Sequence, residues 1–381
     1  MKKELLSAYI VSIVLLLSAC SGRSKTSSDT AHQDTLKFHY AENISIIKHN
    51  NYTEVNLRNP WDTLKILHTY FLIDKQKEEP AHLPSGTIVR IPLEKSLVYS
   101  SVHCGVWNEM NCLSSVAGIC DLSYIRMPEI QDGCKNGRII DCGSSMNPDI
   151  EKIIDLSPDA ILLSPFENNG GYGRIEKLDI PIIECADYME SSPLGRAEWI
   201  KFFGILTGKE QTADSLFHEI EKKYVSLKKK AAQAHNRPTV ITELKFGSAW
   251  YVPGGRSTVS QLLADAGANY LFAENVSSGS VPLSFETVFD KGHDATYWLI
   301  KYNQQTNKTY EELARDYAPY TNFTAWKEQR IFGCNTNKVN FYEESPFHPE
   351  KLLKDLIKIF HNDLLPEHEL VYYSNLNQGD K

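Results

Sequence analysis

Thiols and imidazoles are the side chains here that could do redox or metal chemistry, and their spacing narrows what they can do. Cys occurs eight times, at 20, 104, 112, 120, 134, 142, 185 and 334. Cys20 belongs to an N-terminal signal, and the remaining seven cannot all pair. The series Cys104, Cys112 and Cys120 beside His103 could be drawn as a metal site. Its wide, regular gaps lack the close ligand pairs of zinc sites, and small buried thiols account for it equally well. A bridge from Cys134 to Cys142 across the turn KNGRIID could form in an oxidising compartment, although spacing does not fix connectivity. No CxxC occurs, and the twelve His are scattered singly, so capture of a bare metal ion has no ligand cluster to rest on. Gly254-Gly255-Arg256-Ser257-Thr258 lacks the spacing and Lys of a phosphate-binding loop. Gly171-Tyr172-Gly173 lacks the third glycine of a dinucleotide site, and neither HExxH nor GxSxG is present.

The elements that would position any site are written in the patterning of the 381 residues. Lys plus Arg total 40 against 48 Asp plus Glu, a balance of −8, which provides no basic field for nucleic acid. Met1-Lys2-Lys3, an apolar run from Leu5 to Ala19 and then Cys20 describe a secretory signal, expected over 1–19. Leu17-Ser18-Ala19-Cys20 resembles the bacterial lipobox, which makes Cys20 the expected lipidation site and membrane anchor. Residues 20–35 read as a flexible tether. Residues 36–92 carry short alternating segments split by turn residues, the pattern of β-hairpins. From 93 to 191 short apolar runs alternate with helical stretches, 192–235 reads as helix broken near Gly208, and 236–381 repeats the strand–helix alternation.

The two alternating regions echo each other. Residues 147–163 read NPDIEKIIDLSPDAILL, and residues 283–300 read LSFETVFDKGHDATYWLI. In each, a helix-starting residue (Asn147 with Pro148; Ser284) precedes a Glu, an apolar helix comes next, and an Asp introduces an apolar strand. Glu151 to Asp159 and Glu286 to Asp294 have the same spacing. Two lobes sharing this unit and joined by one helical span predict an α/β body with its ligand cleft between the sheets, at strand carboxyl ends.

The sequence resembles the substrate-binding proteins of bacterial ABC importers for iron complexes and vitamin B12. The resemblance is carried by EKSLVYSS from Glu94, Val116-Ala117-Gly118-Ile119, Asn147 through Leu163, the linker from Trp199 to Lys209, Gly254 to Ser257, QLLADAGA from Gln261, and Ser284-Phe285-Glu286. It covers about residues 90–365; the hairpin region and the Cys cluster depart from the smaller family members. It implies two Rossmann-like lobes joined by a rigid helix, no catalytic activity and no resident cofactor. The cargo it implies is a metal chelate (ferric siderophore, haem or cobalamin). Glu151 and Glu286 would each meet basic residues of one permease subunit, in a monomer exported to the periplasmic face of a membrane. An acid in a helix's first turn is also favoured by the macrodipole alone.

Cleft candidates are residues just beyond strand ends: Ser100, Ser101, His103, Tyr124, Phe166 and Tyr172 in the first lobe, and Trp250, Tyr251, Arg256, Tyr302 and Phe347 in the second. Aromatic planes with a few polar groups suit a large, flat, partly apolar chelate, while each aromatic singly also fits a core or rim position. His103 could ligate haem iron or cobalt, or be a buried or capping histidine. Arg256 could pair with a ligand carboxylate or catecholate, or cap its own turn. Two rival readings are a bilobed reductase or metal-inserting enzyme using the Cys104–Cys142 region, and a lipoprotein that relays the chelate without an importer.

Overall fold

Five short strands open the fold. The computed structural model describes residues 34–167 and 171–378; the apolar leader, Cys20 and the tether through Gln33 lie outside the described residues. Among the described residues no helix is long and apolar enough to cross a membrane. β1 (Asp34–Leu36), β2 (Ile44–Lys48), β3 (Thr53–Arg58) and β4 (Ile66–Asp74) form an antiparallel meander, and β5 (Thr87–Ile91) pairs parallel to β4. The sequence predicts hairpins throughout. The last connection differs because a parallel partner requires a crossover, which residues 75–86 supply. Period-two alternation puts Ile44, Ile46, Val55, Leu57, Tyr70 and Leu72 on one buried face.

The first lobe is a five-stranded parallel sheet in the order β12-β11-β6-β7-β8. Its strands are β6 (Ser96–Val98), β7 (Val116–Ile119), β8 (Ile140–Asp141), β11 (Ala160–Leu163) and β12 (Ile182–Glu184); β9 (Gly143–Ser144) and β10 (Asn147–Pro148) form a separate small ribbon. The helices are α1 (Ser101–Glu109), α2 (Pro128–Lys135) and α3 (Ile150–Leu156). The sequence predicts α3 to start at Asn147. Those residues are instead tied into the ribbon, and Asp149 is the cap, its side chain accepting from the Lys152 amide at 3.2 Å.

Three consecutive helices then lead out of the lobe: α4 (Pro193–Glu198), α5 (Ile200–Thr207) and α6 (Glu210–Ala231). α5 ends where Gly208 adopts φ +67°, a left-handed cap that suits glycine. The 22 residues of α6 span roughly 33 Å at 1.5 Å per residue.

The second lobe has the sheet order β16-β13-β18-β19-β20, from β13 (Thr239–Thr242), β16 (Asn269–Tyr270), β18 (Tyr297–Tyr302), β19 (Ile331–Asn335) and the antiparallel edge β20 (Ser374–Asn375). A side sheet, β14 (Lys245–Phe246), β15 (Ala249–Pro253) and β17 (Ser280–Leu283), is inserted after β13. The helices are α7 (Thr258–Asp265), α8 (Phe285–Gly292), α9 (Tyr310–Asp316), α10 (Thr324–Lys327), α11 (Phe341–Glu344) and α12 (Pro349–Phe360). When β6, β7, β11 and β12 are matched to β13, β16, β18 and β19, both lobes share the strand order 2-1-3-4, and the echoed helices α3 and α8 each feed the third strand.

Buried carboxylates fasten the pieces. Glu198, fully buried in α4, accepts the backbone N–H groups of His39, Tyr40 and Ala41 and the ammonium of Lys201. Glu190 accepts those of Glu42 and Asn43 together with the Trp199 indole. These hydrogen bonds clamp the first sheet onto the linker. The lobes also touch directly: α1 lies on α11, so close that a Cβ on Gly105 would fall 2.0 Å from the Glu343 carbonyl oxygen. His348 bridges the same seam, between Glu109 of α1 at 3.4 Å and Glu350 of α12 at 3.0 Å.

Candidate ligand-binding site

In a sheet of order 2-1-3-4 the connections leave strands 1 and 3 on opposite sides and open a crevice beyond their carboxyl ends. In the first lobe that crevice lies beyond β6, at Tyr99 and Ser100, and beyond β11, at Ser164 and Phe166. A cavity of about 560 Å³ fills it, walled by these residues, Met146 of the ribbon, Tyr172 and Arg174. Phe166 is 52% exposed and Met146 83%, so apolar surface faces an open space. Tyr172 is held in place by donating its hydroxyl to Glu184 Oε1 at 2.6 Å. Ser100 caps α1, its Oγ accepting from the Val102 amide at 3.2 Å.

A second cavity, about 290 Å³, is lined from both lobes and the linker: Val102 of α1, Arg196 of α4, Val259 of α7, Lys301 near the end of β18, and Phe341 and Tyr342 of α11. Each cation there is backed by an acid. Arg196 Nε donates to Asp187 Oδ2 at 3.0 Å, and Asp187 Oδ1 meets His103 Nε2 at 3.0 Å. Burial works against the Asp187 charge, but Arg196 and His103 outweigh it and hold its pKa below the usual carboxylate value. Lys301 pairs with Glu243 and lies over the Phe341 ring. Burial opposes its charge too, and the Glu243 carboxylate overrides burial, raising the ammonium pKa. Glu243 itself sits at φ +67°, uncommon for a residue with a side chain.

Residues 121–337 match the profile of the periplasmic binding proteins. The chain belongs to this family. An uncharacterized lipoprotein of Methanocaldococcus jannaschii is 26% identical over 364 residues, covering 89% of this chain and 85% of the relative. Among solved structures, an ABC-type Fe3+-hydroxamate transport protein of Saccharomonospora viridis is similar with a TM-score of 0.56 at 16% identity, covering 71% of this chain and 94% of that one. A periplasmic haem-binding protein of Pseudomonas aeruginosa is similar with a TM-score of 0.56 at 15% identity, covering 76% and 98%.

Within this periplasmic binding protein the expected cleft residues separate into groups. Ser100, Phe166 and Tyr172 come together in the first-lobe cavity. Ser101 is half-buried in the first turn of α1. Three expectations are corrected by burial. His103 is 1% exposed and committed to Asp187, so it cannot reach a metal in the cleft. Trp250 is fully buried; its indole donates to the Thr242 carbonyl at 2.9 Å, and its ring packs on Trp298, Tyr320 and Phe323. Phe347 is buried against Phe203 of α5. Tyr302 packs against Gly333 and accepts from the Lys308 amide at 3.0 Å. Tyr124, Tyr251 and Arg256 are exposed and line neither cavity. Glu151 and Glu286 are exposed at the second residue of α3 and α8, equivalent places in the two lobes.

Arg196, Lys301, Phe341, Tyr342 and Met146 are not among the residues expected from the sequence. A lone cation closing the apolar strand YWLIKY was the available signal for Lys301. Arg196 carries none, because its partner Asp187 precedes the helix it sits on.

Proposed function

We propose that this periplasmic binding protein captures a metal chelate between its lobes and delivers it to an ABC importer. The observation that carries this reading is the pairing of two 2-1-3-4 lobes with a cavity walled by both of them, in a chain that also has a larger aromatic-walled cavity at the first lobe's strand ends. Cavities of a few hundred Å³ with apolar walls and few polar groups are the usual form of small-molecule sites. Arg196 and Lys301 favour a chelate that bears acidic groups, such as haem propionates or a catecholate or carboxylate siderophore, over cobalamin. Phe166 and Tyr172 supply planes for its apolar part.

Delivery rests on Glu151 and Glu286, one exposed carboxylate per lobe, each meeting a basic residue of a permease subunit. The anchor is the lipid on Cys20, a reading supported by the lipoprotein relative, with the folded part facing the periplasm as a monomer. The enzyme alternative is disfavoured by the thiols it would use. Burial pushes Cys104 up to about 12 and Cys142 up to about 11, leaving little thiolate to react.

The test is a titration of the chain lacking its first 33 residues with haem, cobalamin, and hydroxamate and catecholate ferric siderophores, monitored by absorbance and tryptophan fluorescence. Saturable binding of an acidic chelate is expected. Saturation by none of the four would remove the chelate reading, and mass spectrometry showing a mature N-terminus other than acylated Cys20 would remove the anchor.

A further inference from the structure

The first-lobe sheet aligns two cysteines that the sequence keeps 22 positions apart. β7 and β8 pair in parallel with Gly118 opposite Ile140 and Ile119 opposite Asp141, so the next pair in register is Cys120 and Cys142. One rung reaches that far, the Cys142 amide donating to the Ile119 carbonyl at 2.8 Å; the ladder then shifts by one residue, the Asp121 amide donating to the Gly143 carbonyl at 2.8 Å. Residues two apart share a face, which puts Cys120 with Gly118 and Cys142 with Ile140, again opposite each other. Both side chains are fully buried in one small cluster with Leu97, Ile150, Ile153 and Leu163. Neighbouring strands lie about 4.8 Å apart, inside the roughly 4.4–6.8 Å Cα separation that a disulfide spans.

We propose that Cys120 and Cys142 form a disulfide in the mature protein. The step removes two protons and two electrons from two thiols, forms one S–S bond, and reduces a disulfide oxidant to its dithiol. Because burial raises both thiol pKa values, to about 11 for Cys142, the folded dithiol supplies little thiolate. The bond therefore forms while the chain folds, before the cluster closes, and is afterwards sheltered from reductant. Its consequence falls on the large cavity. The ribbon that provides Ser145, Met146 and Asn147 to that wall begins at Gly143, immediately after the bridge, and Tyr99 of the same wall packs against the cluster. The bond staples the base of this wall to the sheet.

The register thus favours Cys120 over Cys134 as the partner of Cys142. The full chain, refolded from urea in mixed reduced and oxidised glutathione, is alkylated under denaturing conditions and mapped without reduction. The expected result is a single joined peptide pair containing Cys120 and Cys142, and a thermal midpoint several degrees lower after reduction. Cys120→Ser is expected to melt like the reduced protein and to be insensitive to reductant. Full alkylation of both residues, or a Cys134–Cys142 pair, overturns the proposal, and the wild-type map decides it even if the variant fails to fold.

Discussion

The two lobes share one topology and use its crevice in opposite ways. In the first lobe, β6 and β11 end on Tyr99, Ser100, Ser164 and Phe166 around an open cavity. In the second, the chain leaving β13 folds back as the side sheet, which carries Trp250 into the sheet's flank beside Trp298, Tyr320 and Phe323. To the cavity between the lobes the second lobe brings Lys301, paired with Glu243, together with Val259, Leu262, Phe341 and Tyr342. Equivalent strand ends are therefore not equivalent sites: the course of the chain beyond the strand decides whether an aromatic residue is a wall or a core.

The largest expected effect tests that division. Trp250→Ala should cost about 3–5 kcal/mol of stability, as truncating a buried aromatic does, whereas Phe166→Ala should leave the urea midpoint nearly unchanged. Equal and small losses would break the contrast between core and wall.

The seam between the lobes should be sensitive to pH. Burial disfavours the His348 imidazolium, but Glu109 and Glu350 override it and its pKa is pushed up to about 9. Its stabilising contribution is complete below the unfolded value of 6.5 and is lost as pH rises through about 9. At about 1.4 kcal/mol per unit the whole amounts to ~3 kcal/mol. Unfolding free energies measured from pH 6 to 10 should fall in wild type and stay flat for His348→Gln in that window.

Next in size come the cleft cations. Arg196→Gln and Lys301→Gln should each weaken binding of an acidic chelate by about 10–100-fold, the ~1.4–3 kcal/mol of a charge-assisted hydrogen bond. Arg196→Lys should recover part of the loss. Phe166→Ala should weaken it by ~0.5–1.5 kcal/mol, the worth of one stacked ring. Calorimetric titration separates these, and equal losses for haem and neutral cobalamin would show that charge is not what the cleft reads.

The smallest effect on the protein itself is expected at Glu151→Lys and Glu286→Lys. Chelate affinity should not change, while reconstituted uptake should fall with either and further with both. Uptake unaffected by the double reversal would remove the docking role.

The alternation of strand and helix was legible because each parallel strand is a short apolar run, and the echo between Glu151–Asp159 and Glu286–Asp294 identified the third strand of each lobe. The first-lobe wall was legible in part, since Ser100, Phe166 and Tyr172 stand directly after strands or turns. Trp250 was not, because its burial depends on the pairing of Ala249–Pro253 with Ser280–Leu283 about thirty residues later. His103 and Arg196 were hidden for a related reason: what defines them is Asp187, a fully buried partner 84 and 9 positions away respectively.

The carboxylate clamps on residues 39–43 set an order of events for the growing chain. The first strands emerge early from the ribosome, but the oxygens that hold their leading segment belong to Glu190 and Glu198, about 150 residues later. Contacts of such long sequence separation form slowly. The earliest sheet to be synthesised thus waits for the end of the first lobe and the start of the linker before it is secured, and until then its edges and apolar face must be kept from pairing with other chains.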